Sequence, residues 1–360
     1  MENNPQPSSS IGTERSLQYR ALGVALSLLL SAAAGVGAYV VLFTQVLLPA
    51  NLVPHEVART VARAELLRDL AEQPERPILI FGSSVVLEGV DAQIVEGQLP
   101  GSIPVYNIAE SSAGLRNLMM NMPLIRPVHP RWLVCCLRRS QLAHDYFPDL
   151  PSELLIGYAY AGYVNSADHQ PPWIFDRLKP RELDALPGHT LERLLASRVF
   201  LLRAVEQKLR HSNRPDLRSE GFSSNFRNPW RYTRQIPPDR LDMLIARSHE
   251  SFADLRFDPS APISDVLKAC LRRCADESIN FLLVLTPENP LIQAGIPPET
   301  LAAFDEAVAA MVRQGGARQF TLSAELFTPE DFLDHAHVNA RGREIFSRKL
   351  GSVLARLLEH

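Results

Sequence analysis

Three residue types in two short stretches could together carry out nucleophilic acyl chemistry: a hydroxyl at Gly82-Ser83-Ser84, and a carboxylate and imidazole in Asp334-His335-Ala336-His337-Val338-Asn339. A serine hydroxyl is a weak nucleophile until an imidazole takes its proton, and the imidazole needs a carboxylate to fix its tautomer and stabilise its charged form. Asp334 lies three residues before His337, an offset from which a turn brings the carboxylate to the second ring nitrogen. Ser84 is therefore the candidate nucleophile, His337 the base and Asp334 its orienting acid, with His335 and Asp331 as the rival pair. Taken alone, the Ser84 pattern is weak, because serine is also a favoured helix cap.

The elements that must position these groups follow from hydrophobic patterning. Short, continuously apolar runs at 77–81, 105–109, 132–137, 281–285 and 320–322 suit central parallel strands covered on both faces. Most are separated by helix-length segments, so the expected fold is α/β with a doubly wound parallel sheet. In that arrangement Gly82 makes the tight turn out of the first strand, and Ser84 begins a helix whose first N–H groups can stabilise a developing oxyanion. Asn339 reads as the cap of a terminal amphipathic helix, Ala340 to Leu358, which pins the acid–base loop to the sheet.

The rest of the chain divides by composition. Residues 1–20 are polar and read as a disordered tail. Residues 21–48 carry no charge and are long enough to cross a bilayer, with a cleavable signal peptide as the competing reading. Arg15 and Arg20 precede this span and Arg59 and Arg63 follow it, so charge barely orients it; the short N-terminal tail suggests an exported domain. Small residues four apart (Ser31/Gly35, Ala33/Gly37, Ala34/Ala38) would let a second helix approach, although small residues are common in such helices. Residues 49–76 contain a connecting helix with Val57, Val61, Ala64, Leu67 and Leu70 at helical spacing, and 77–360 form the α/β domain. That domain is interrupted at about 143–262 by a proline-rich, largely helical insertion with amphipathic stretches at 191–209 and 239–257, positioned to shape a substrate cleft or dock a partner protein.

Composition also excludes functions. A formal charge of −3, from 37 basic and 40 acidic residues without a basic run, argues against nucleic acid as a partner. Only four of those basic residues are lysine, which fits a GC-rich bacterial source. Cys135-Cys136 and Cys270/Cys274 are poorly placed for disulfides and read as buried thiols. His335 and His337 lack a third ligand nearby, so neither a metal nor another cofactor is expected.

Three segments together resemble the SGNH (GDSL-like) hydrolase superfamily, in particular its membrane-anchored branch tied to cell-envelope polysaccharide O-acylation. They are ILIFGSSVVLEGVD (78–91), VYNIAESSAG (105–114) and FLDHAHVNARG (332–342), in the family's order and separation. The resemblance implies a flavodoxin-like α/β/α sandwich and a Ser–His–Asp mechanism on acyl esters. It implies a bacterial inner-membrane protein, anchored by one span, that acts as an esterase or acetyltransferase on a polysaccharide in the periplasm. Two departures stand out. The second-block glycine falls at Ser112, with Gly114 two residues later, and the third block's Gly-x-Asn-Asp is replaced by Arg138-Arg139-Ser140-Gln141. Asn107 or Ser140 would then have to supply the missing oxyanion donor. Arg138 and Arg139 read either as a solvated strand end or as binders of an anionic sugar. Loss of a donor also leaves open an inactive scaffold subunit of a membrane protein complex.

Overall fold

The computed structural model describes residues 55–143, 226–227 and 236–359, with scattered helical positions between 24 and 38. Five strands form one parallel sheet: β1 (Ile78–Gly82), β2 (Val105–Asn107), β3 (Trp132–Leu137), β4 (Phe281–Leu285) and β5 (Arg318–Thr321), in the order β2-β1-β3-β4-β5. Every residue of β1, β3 and β4 is buried, which is why their sequences are continuously apolar instead of alternating. The strands match the expected runs closely; β5 begins two residues earlier and β2 ends two residues sooner.

Side chains alternate between two cores. On one face Ile78, Ile80, Val134, Cys136, Leu282 and Val284 pack under α2 (Ser84–Gly89), α3 (Ala92–Glu96) and the terminal helix α9 (Ala340–Leu358). On the other, Leu79, Phe81, Leu133, Cys135 and Leu283 meet α1 (His55–Ala71), α4 (Leu115–Ile125), α6 (Pro262–Asp276) and α8 (Pro298–Gln314). Helix α5 (Pro238–Phe252), of which only Phe252 is buried, packs against α7 (Pro290–Gln293), which follows β4. The chain turns left from β1 to β2 and right to β3, so the ends of β1 and β3 flank the switch point, where open α/β sheets bind ligands.

All four cysteines are buried free thiols, as expected, and burial pushes the Cys136 thiol well up, far from a reactive thiolate. The expected bilayer span and the 191–209 helix lie largely outside the described residues, and among those described no helix is long and apolar enough to cross a membrane. The connecting helix spans His55–Ala71. Its buried face holds Ala64, Leu67 and Leu70, and also Arg59 and Arg63, which its hydrophobic periodicity does not reveal.

Candidate active site

Ser84 is placed by the close approach of two strands. A Cβ on Gly82 would collide with Val86 and come within 2.6 Å of the Cys136 carbonyl, so only glycine lets β1 turn here into α2. Ser83 is the N-cap residue and Ser84 the first residue of the helix, so the Ser84 N–H is among those without an intrahelical acceptor.

The acid–base loop closes on itself. An antiparallel bridge joins Phe332 to Val338, Leu333 N–H donates to the His337 carbonyl at 2.7 Å, and Asn339 N–H donates to Asp331 at 2.8 Å. Inside this loop Asp334 Oδ1 accepts from the Ala336 and His337 N–H groups, each at 2.7 Å, and its Oδ2 lies 2.7 Å from His337 Nδ1. Buried Asn289, the cap of α7, donates to the Asp334 carbonyl at 3.1 Å, tying the loop to the segment that follows β4. Asn339 Oδ1 caps α9 through Arg341 and Gly342, as its position implies, and a Cβ on Gly342 would come within 2.5 Å of the Asp331 carbonyl.

These two halves meet: His337 Nε2 is 2.9 Å from Ser84 Oγ. The geometry assigns the tautomer, with Nδ1–H donating to Asp334 and Nε2 accepting from the hydroxyl. Burial by itself would lower the His337 pKa, but the hydrogen bond and charge of Asp334, joined by Glu88, outweigh it and the pKa is raised above 6.5. Burial would raise Asp334, yet its bonds to His337 and the two N–H groups bring it down to about 2. Asp334 therefore stays ionised through the range in which His337 titrates.

The rivals are placed elsewhere. Asp331 is buried and accepts from Thr328, and His335 stands 3.8 Å from Asp334 with its pKa lowered by burial; neither reaches Ser84. Among the oxyanion candidates, Asn107 is already committed. Its amide donates to the carbonyls of Val86 and Val90, both at 2.9 Å, and its oxygen accepts from Ala109, so it braces α2 and has no N–H left for a ligand. Gly114 N–H donates to Asn117 Oδ1 at 3.0 Å and is likewise engaged. Ser112 adopts φ 58, a left-handed conformation uncommon for serine, and none of the described residues accepts its N–H. Ser140 sits half-buried in a short turn (Arg139–Leu142).

Neither arginine of the third block is a solvated strand end. Arg138 donates twice to Glu288 Oε2, at 2.6 and 3.1 Å, and Arg139 forms a two-pronged pair with Asp305 at 2.8 Å. Their carboxylate partners are over 140 residues distant in sequence, which is why the sequence alone leaves them unpaired. Gln141 accepts from the Arg138 N–H and donates to the Ala113 carbonyl at 2.8 Å, so this turn buttresses the loop that carries Ser112. Glu88, one turn after Ser84, lies within the first matched segment but has no role assigned from the sequence; its side chain is buried, and burial raises its pKa against the opposing charge of His337. A cavity of about 580 Å³ lies away from Ser84, at the starting ends of β3, β4 and β5 beside Trp132, Phe281 and Arg318. No family profile matches the chain, and no curated protein is significantly similar to it.

Proposed function

We propose that this chain is a serine esterase or O-acyltransferase of the SGNH type, tethered to a bacterial inner membrane by residues 21–48, acting on acyl esters, principally acetyl, of a periplasmic polysaccharide. The observation that carries the reading is the unbroken relay from Ser84 through His337 to Asp334. The strand order β2-β1-β3-β4-β5, the order also found in flavodoxin-like sheets, supports the reading, because Ser84 follows β1 beside the switch point. The three matched segments and the charge-free span support the family, substrate and location.

In this reading Ser84 Oγ attacks the acyl carbonyl carbon while His337 Nε2 takes its proton. The imidazolium is stabilised by Asp334, whose carboxylate remains ionised. The N–H groups of Ser84 and Ser112 hold the tetrahedral oxyanion. Collapse breaks the ester C–O bond, and His337 returns its proton to the departing alcohol. The acyl-serine then passes its acyl group to water or to a sugar hydroxyl, which His337 deprotonates in turn.

The test is labelling of the full-length protein in detergent with a fluorophosphonate, followed by peptide mass analysis. One adduct on the peptide carrying Ser84, absent from Ser84→Ala, is expected. An adduct that persists in Ser84→Ala removes Ser84 as the nucleophile, and an unlabelled wild type favours the scaffold role instead.

A further inference from the structure

Helix α1 buries two arginines, and both point at the loop that follows β2. Arg59 is 6% exposed and Arg63 fully buried, an unusual fate for guanidinium groups. Arg59 donates to the carbonyls of Asn107 and Ala109, each at 2.9 Å, and lies 4.6 Å above the Phe226 ring. Arg63 donates to the Ile108 carbonyl at 3.4 Å and pairs with Glu110, itself 2% exposed.

From Glu110 the bonding runs on in two directions. Its Oε1 accepts from Asn117, whose own oxygen holds the Gly114 N–H, so the two ends of the turn around Ser112 are fixed by one chain of contacts. Its backbone N–H donates to the Gly82 carbonyl at 3.0 Å, two residues before the nucleophile. Ser112 at φ 58 thus sits in a strained turn whose geometry is imposed from outside. Apolar residues of similar volume commonly replace a buried ion pair without loss of stability, so packing alone does not require charge here.

We propose that Arg59 and Arg63 are positioning residues for the oxyanion loop, which makes the helix between the apolar 21–48 span and the α/β domain a working part of the active site and not a spacer. This rests on the serine acyl-transfer reading above. The consequence is that α1 and the catalytic loop are mechanically continuous: displacement of α1 moves the carbonyls of residues 107–109 and, through Glu110, the turn at Ser112 and the strand end at Gly82.

The test compares full-length wild type in detergent with Arg63→Met/Glu110→Gln, which removes both charges of the buried pair together, and with Arg63→Lys. Fluorophosphonate labelling gives two readings, a final extent that counts correctly folded sites and a rate constant that reports their geometry. Full extent with a rate lower by on the order of 10²-fold is expected for the double variant, with partial recovery in Arg63→Lys. The pH dependence of the rate should be unchanged, because His337 and Asp334 are untouched. A wild-type rate at full extent, or a deficit accounted for entirely by reduced extent, overturns the proposal. Hydrogen exchange separates this from failure of the underlying reading: even if wild type does not label, the double variant should exchange faster at 107–114 than wild type while α9 is unaffected. Unchanged exchange at 107–114 overturns the coupling by itself.

Discussion

The two loops that converge on Ser84 are held in opposite ways. The acid–base loop is self-contained: Asp334 binds the N–H groups of residues two and three positions on, the bridge between Phe332 and Val338 closes its neck, and Asn339 caps the helix that follows. The loop after β2 owes its shape to distant residues, Arg59 and Arg63 from a helix some fifty residues earlier and Gln141 from the turn after β3. One loop can be written into a short motif. The other depends on side chains whose meeting only the fold determines.

The largest effect expected from breaking this contrast falls on the local loop. Asp334→Asn keeps the size of the side chain but removes the charge and favours the wrong imidazole tautomer, so the labelling rate should drop by about 10⁴-fold. The pH dependence should move as well. In wild type Asp334 raises the His337 pKa above 6.5, so the neutral base accumulates only above that value; without the carboxylate, burial dominates and the acid limb should shift downwards. A limb that stays in place would mean that Asp334 does not set the state of His337.

The arginine variants described above come next, on the order of 10²-fold, and they sharpen the contrast because they change rate without changing pH dependence. The smallest effect belongs to Asn339→Ala. Loss of the cap to Arg341 and Gly342 should destabilise the protein by about 1 kcal/mol in denaturant unfolding, with the labelling rate of the folded fraction almost unaltered. A large fall in rate would show that the cap also positions the imidazole.

The same contrast explains what was legible in the sequence. Strands β1, β3 and β4 stand out because burial on both faces demands uninterrupted apolar runs, and Asp334, His337 and Asn339 stand out because their partners lie within three residues. Asn107 and Gly114 looked equally suited to bind an oxyanion. Their donors are consumed by Val86, Val90 and Asn117, contacts that spacing does not disclose. Arg138 and Arg139 read as ligand binders or solvated ends until Glu288 and Asp305 are brought beside them. In α1 an apolar stripe predicted the helix correctly but hid Arg59 and Arg63, since charged residues are assigned to solvent unless a buried acceptor is known.

The most direct test of the account is the rate at which a fluorophosphonate labels Ser84 in the wild-type protein as pH is varied. A hydroxyl whose proton passes to His337 should react at a rate that falls about tenfold per pH unit below an apparent pKa above 6.5, and His337→Ala should abolish that dependence together with most of the rate. Labelling of Ser84 at a rate indifferent to pH between 5 and 8, or equally fast in His337→Ala, would contradict it.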